Sequence, residues 1–132
     1  MLRNIFFLLF ISTTSLFFAQ QGQSISSMDF VEILNDNEEE ALFYYQKNWK
    51  VLRQMAIKKN YISSFELLKD ISNDKNSFSL ILVTTYTNRE QFEKREEHFQ
   101  ELIKEKGRLE LLNQKKPAEF RKTVFSKDLI LL

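Results

Sequence analysis

Phe78-Ser79-Leu80-Ile81-Leu82-Val83-Thr84-Thr85-Tyr86 is the stretch on which the fold of this chain turns. Successive side chains of a strand point to opposite faces, which sends Phe78, Leu80, Leu82, Thr84 and Tyr86 one way and Ile81, Val83 and Thr85 the other. Both faces are apolar at the centre, whereas a strand with one face in water alternates between apolar and polar residues. The stretch therefore reads as a central strand covered on both sides.

Immediately after it, Asn88-Arg89-Glu90-Gln91 is a variant of the capping box, with Asn88 as acceptor and Gln91 reaching back. Phe92, Phe99, Leu102 and Ile103 carry a helix from there to Gly107, a natural end residue. Before it, Tyr61 to Lys69 reads as a strand and Asp70 to Asn76 as a polar connection of hairpin type. Further upstream, Leu42, Tyr45, Trp49, Leu52 and Ala56 recur at helical spacing, so a helix runs to about Lys59 and stops at Asn60. Glu38-Glu39-Glu40 suits the first turn of that helix, where negative charge meets the positive end of the dipole, and Asp36 or Asn37 can cap it. Met28 to Leu34 is the first strand, with Val31 and Ile33 on one face and Phe30, Glu32 and Leu34 on the other. At the far end Pro117 opens a short helix through Lys122, and Thr123 to Ser126 with Leu129 to Leu132 form a last strand or broken strand. Residues 108–116 fit no single element.

The order strand, helix, strand, strand, helix, strand is the split βαβ arrangement of an α+β, ferredoxin-like domain, βαββαβ, with an antiparallel sheet and two helices on one face. Two helices cover one side of the central strand only. The bare apolar side needs another cover, and a second copy of the same sheet supplies it, so the chain is expected to dimerise through the sheet.

With this element order, and with Phe65-Glu66-Leu67-Leu68, Leu82-Val83-Thr84-Thr85-Tyr86 and the Asn88 to Gln100 helix as they stand, residues 28–132 resemble the dimeric α+β barrel superfamily. That superfamily includes antibiotic-biosynthesis-type monooxygenases that use no cofactor, NIPSNAP-like proteins and exported bacterial proteins without assigned activity. The resemblance implies a homodimer with a pocket above the sheet. In the monooxygenase branch an Asn, a Trp and a His handle a phenolic substrate and oxygen. Here Asn48 and Trp49 are adjacent, so on a regular helix they point about 100° apart and do not both face one pocket.

Four residues are candidates for chemistry: Trp49, His98, Tyr86 and Glu32. Trp49 lies on the first helix beside Tyr45 and Leu52 and reads first as a core anchor. His98 is the only histidine and sits at the edge of the stripe set by Phe92, Phe99 and Leu102. Glu32 and Glu66 stand on apolar strands and, if turned inward, would have raised pKa values; Arg53, Arg95 and Arg121 are partners in reach of the same pattern. With one His and no Cys, the usual ligand set of a zinc site is missing, and no glycine-rich phosphate loop or nucleophile elbow is present, so no metal or cofactor is expected. Haem ligation by His98 is a third reading behind a small-ligand or structural module and a cofactor-independent oxygenase or isomerase.

Composition sets the remaining bounds. The 132 residues suit one domain, and 19 basic against 18 acidic residues leave no field that would gather nucleic acid or an anionic membrane. Residues 1–19 read as a signal peptide: Met1-Leu2-Arg3-Asn4 is a short basic start, Ile5 to Ala19 is mostly apolar, and a polar leader, 20–27, follows. The apolar run is shorter than the roughly 20 residues of a spanning helix, so export to the periplasm or outside, with cleavage near Ala19 and no membrane attachment afterwards, is expected. Retention of the segment as an anchor is the alternative. Without Cys there is no disulfide to limit the unfolded state, which makes burial, including burial between copies, the source of stability.

Overall fold

The computed structural model describes residues 22–72 and 78–132. Strand β1 (Ile25–Ile33) leads into α1 (Glu38–Tyr44), a π-helical turn (Tyr45–Trp49) and α2 (Lys50–Lys58), which together make the first helical rod. Then come β2 (Ser64–Lys69), β3 (Leu80–Tyr86), α3 (Arg89–Glu93), α4 (Arg95–Lys106), α5 (Pro117–Phe120) and β4 (Arg121–Ile130). The four strands form one antiparallel sheet in the order β2-β3-β1-β4. This is the α+β, ferredoxin-like arrangement, with the two central positions taken by β3 and β1.

The two faces of β3 do what their composition requires. Leu80 and Leu82 join Val31, Tyr45 and Trp49 in one cluster under α1 and α2, and Tyr86 joins Ala56, Ile62 and Leu102 in a second between α2 and α4. Ile81 and Val83 point to the opposite face, where the register sets them beside Phe30 and Met28. There the rings of Phe30 and Phe125 stack at 4.3 Å, with Phe78 meeting Phe30 edge-on at 5.0 Å. Phe78 thus departs from the expected alternation. It precedes β3, where the Ser79 amide bonds the Val31 carbonyl, and turns to the helix-free side. Phe125 remains 40% exposed there, so this aromatic patch lacks a cover within the described subunit.

Several boundaries shift for physical reasons. The leader expected through residue 27 ends earlier, because Ile25, Ser26 and Ser27 pair with both β3 and β4, and Ser26 bonds Thr85 through their hydroxyls at 2.8 Å. β2 begins at Ser64 rather than Tyr61, whose ring instead stacks on His98. The expected broken last strand is one continuous strand, β4, with its irregularity at a register shift opposite Phe30 and Val31. The short helix that Pro117 opens stops at Phe120, whose fully buried ring anchors the turn into β4. The Asn88 cap forms as expected, accepting from the Gln91 amide at 2.9 Å, while Gln91 reaches back to the Thr87 amide. The signal segment 1–19, residues 20–21 of the leader and residues 73–76 of the hairpin connection lie outside the described residues.

Asn37 occupies the cap position of α1, but its side chain does not cap. It donates to the Glu119 carbonyl and accepts from Lys115, tying α1 to the segment before α5. Lys115 also pairs with Glu40 at 3.0 Å, and Asn113 donates to the same carboxylate, which is largely buried. The Lys115 hydrogen bond is the main reason that Glu40 ionises below its ordinary 4.5. A carboxylate with a lowered pKa in the folded state stabilises the fold above its unfolded pKa, and that contribution disappears as pH falls through the folded value. Lys115→Met is therefore expected to move the midpoint of acid unfolding upward, read by circular dichroism between pH 2 and 6; an unchanged midpoint would show that the pair does not matter.

Candidate functional site

The helix-facing side of the sheet carries Ser27 and Asp29 from β1, Thr84 and Tyr86 from β3, and Ser126 and Asp128 from β4, brought together by the register. Above them lie Leu52 and Arg53 of α2 and Arg95, Glu96, Phe99 and Ile103 of α4. The two layers flank an open chamber of about 380 Å³. On its floor Ser126 donates to Asp29 at 2.5 Å and Ser27 donates to Asp128 at 2.7 Å. Burial raises the pKa of Tyr86, so its phenol stays protonated and able to donate at neutral pH.

A second chamber, of about 400 Å³, adjoins the first and shares Leu52, Arg53 and Ile103 with it. Its other walls are Tyr44, Asn48, Trp49, Lys106, Gly107 and Leu109. The loop after α4 forms one side because Asn48 holds it there. The Asn48 amide nitrogen donates to the Glu110 carbonyl at 2.7 Å, and its oxygen accepts from the Glu110 amide at 2.8 Å and from Lys106 at 3.0 Å. Gly107 turns that loop with φ of 82°, a conformation open to glycine.

Asn48 and Trp49 therefore line the same chamber, contrary to the reading of two neighbours splayed apart on a regular helix. Two features account for this. The residues sit in the π-helical turn, which is wider than an α-turn, and the loop wraps round the helix to meet Asn48.

Arg53 forms the partition between the chambers. Its guanidinium lies 4.6 Å from the centre of the Trp49 ring and 4.2 Å from that of Phe99, and its Nε donates to Thr84 at 3.2 Å. Burial lowers its pKa to about 10, which leaves it charged at neutral pH. Sequence reasoning placed Arg53 on the first helix with Tyr45, Asn48 and Trp49, able to line a pocket above the sheet, and also named it as a partner for a buried glutamate; it lines both chambers. The signal available was its place four residues after Trp49 on one helical stripe; the rings that sandwich it come from two different helices.

The four residues singled out from the sequence do not converge. Trp49 and Tyr86 line adjoining chambers. His98 lies outside both, stacked flat on Tyr61 at 3.7 Å. Glu32 is on the helix-free face, opposite Lys122 of β4, and Glu66 is on that same face beside Val83. Neither glutamate meets Arg53, Arg95 or Arg121, which stand over the other side of the sheet. Among the described residues no group of three or more His, Cys, Asp and Glu side chains is placed to hold a metal ion.

No protein-family model and no curated protein matches the chain. Its fold is similar to solved structures at low identity. One is a DABB-family protein with a ferredoxin-like fold from Mesorhizobium loti, 12% identical, with a TM-score of 0.55, covering 83% of this chain and 98% of that one. Another is a dimeric protein of unknown function and ferredoxin-like fold from Bacteroides fragilis, 15% identical, TM-score 0.53, covering 84% and 98%. A third is HapK from Hahella chejuensis, 10% identical, TM-score 0.51, covering 82% and 92%. These likenesses agree in fold with the dimeric α+β barrel superfamily that the sequence pattern resembles.

Proposed function

We propose that the protein is an exported homodimer that binds a small apolar or aromatic molecule between its helices and its sheet. The observation that carries this reading is the pair of adjoining chambers, each near the lower end of the volume range of small-molecule sites; Leu52 and Ile103 wall both, Phe99 the first, and Trp49 and Leu109 the second, around a few polar groups. Support for the dimer comes from the uncovered Phe30, Phe78 and Phe125 patch and from the dimeric state of the Bacteroides fragilis protein that shares the fold. Support for export rests on the basic, apolar and polar succession of residues 1–24. A cofactor-independent oxygenase or isomerase remains the second reading, and of its four named residues Trp49 and Tyr86 are the two that reach the cleft.

The neutral fluorophore N-phenyl-1-naphthylamine is expected to brighten and saturate in the presence of the wild-type protein. Ile103 borders both chambers and is half exposed at their mouth, so Ile103→Trp should weaken that binding at least about tenfold, equivalent to 1.4 kcal/mol, without unfolding the chain. No saturable binding by the wild type would overturn the ligand reading and leave a purely structural module.

A further inference from the structure

The two chambers differ in charge. The one over β1 and β4 has Asp29, Glu96 and Asp128 among its walls, against Arg53 and Arg95. The one beneath Trp49 has two cations, Arg53 and Lys106, and no carboxylate.

Arg53 is also a half-buried cation that makes no ion pair within 4 Å among the described residues; Asp29 acts on it only at longer range, and its one hydrogen bond is the Nε donation to Thr84. The guanidinium carbon lies over the rings of Trp49 and Phe99, and the terminal N–H groups make no hydrogen bond to the described residues and are not sealed from solvent, so a ligand can reach them. A guanidinium partly withdrawn from water gains from an added anion, and a planar fork of N–H donors fits a carboxylate with two parallel bonds. Lys106 is held in place at the rim by Asn48 and the Arg108 carbonyl, adding positive potential to the same chamber.

We propose that the chamber beneath Trp49 is a monocarboxylate site, in which Arg53 grips the acid oxygens and the apolar body of the ligand lies against Trp49, Leu52 and Leu109. This rests on the reading of the cleft as a small-ligand site and names the chemistry that the site selects. The acids on the other side of Arg53 repel a second negative charge, so one acid group at the end of an apolar body is the preferred pattern.

The test compares 4-phenylbutanoate with its neutral isostere 4-phenylbutanamide at pH 7. Binding is followed by calorimetry and by the emission of Trp49, the only tryptophan of the chain. The acid is expected to bind at least about tenfold tighter than the amide, a margin consistent with a charge-assisted bidentate pair. In Arg53→Met, which keeps a long side chain between the two rings, acid and amide should come within about twofold of each other through loss of affinity for the acid alone. Arg53→Lys, a check against misfolding of the first variant, should keep part of the preference because it retains charge without the fork. Equal affinity for acid and amide in the wild type, or a preference that survives Arg53→Met, overturns the monocarboxylate site while leaving the small-ligand reading intact. If neither compound binds at millimolar concentration while the fluorophore does, the monocarboxylate site falls alone; if the fluorophore fails as well, both readings fall.

Discussion

Phe125→Asp is expected to convert the proposed sheet-to-sheet dimer to a monomer, raising its dissociation constant by a hundredfold or more. Phe125 stacks on Phe30 at 4.3 Å in the middle of the helix-free face and is 40% exposed in the single subunit. A carboxylate at this position sits in water when the subunit is alone but would be buried among Phe30, Phe78 and their copies in a sheet-to-sheet dimer. Two-fold symmetry repeats the substitution, so each dimer buries two unpaired charges. Several kcal/mol for each buried ion exceeds the roughly 2.7 kcal/mol that a hundredfold change requires. Sedimentation equilibrium over the micromolar range reads the change directly, and circular dichroism should show the monomer still folded. A wild-type protein that sediments as a monomer at these concentrations would sink the dimer.

Leu80→Ala carries the second large effect, on stability rather than assembly. Leu80 is fully buried in the cluster with Val31, Tyr45, Trp49 and Leu82, where no solvent reaches the space the side chain would vacate. Such a truncation costs about 2–5 kcal/mol, a transfer contribution plus a cavity contribution, and should lower Tm by roughly 10 °C or more. Ile81→Ala, one residue along and on the opposite face, tests the two-sidedness of β3. Its loss should be smaller at protein concentrations where the subunits are apart and grow as they associate, which denaturant titrations at two concentrations would show. A loss below about 1 kcal/mol for Leu80→Ala would contradict the packing described.

The alternation of β3 placed Leu80, Leu82 and Tyr86 against the helices and Ile81 and Val83 away from them, as found. It misplaced Phe78, because alternation holds only inside the ladder and Phe78 precedes it. The stripe of Leu42, Tyr45, Trp49, Leu52 and Ala56 was readable even across the π-helical turn, since apolar burial fixes which side of the rod faces the sheet. Polar side chains were less legible. Asn37 has the composition of a cap yet bonds residues about eighty positions away, and Asn48, which the helical spacing turned away from the pocket of Trp49, organises a loop.

From the sequence alone follow the order of elements, the ferredoxin-like sheet and the need for a cover over its helix-free face, because hydrophobic periodicity records which side of each element leaves water. The tertiary structure alone decided the site. Arg53 meets Trp49 on its own helix, Phe99 on another and Thr84 on the sheet, while Asn48 reaches a loop 62 residues further on. Contacts of that kind depend on how strands and helices cross in space, and periodicity along one chain carries no record of them.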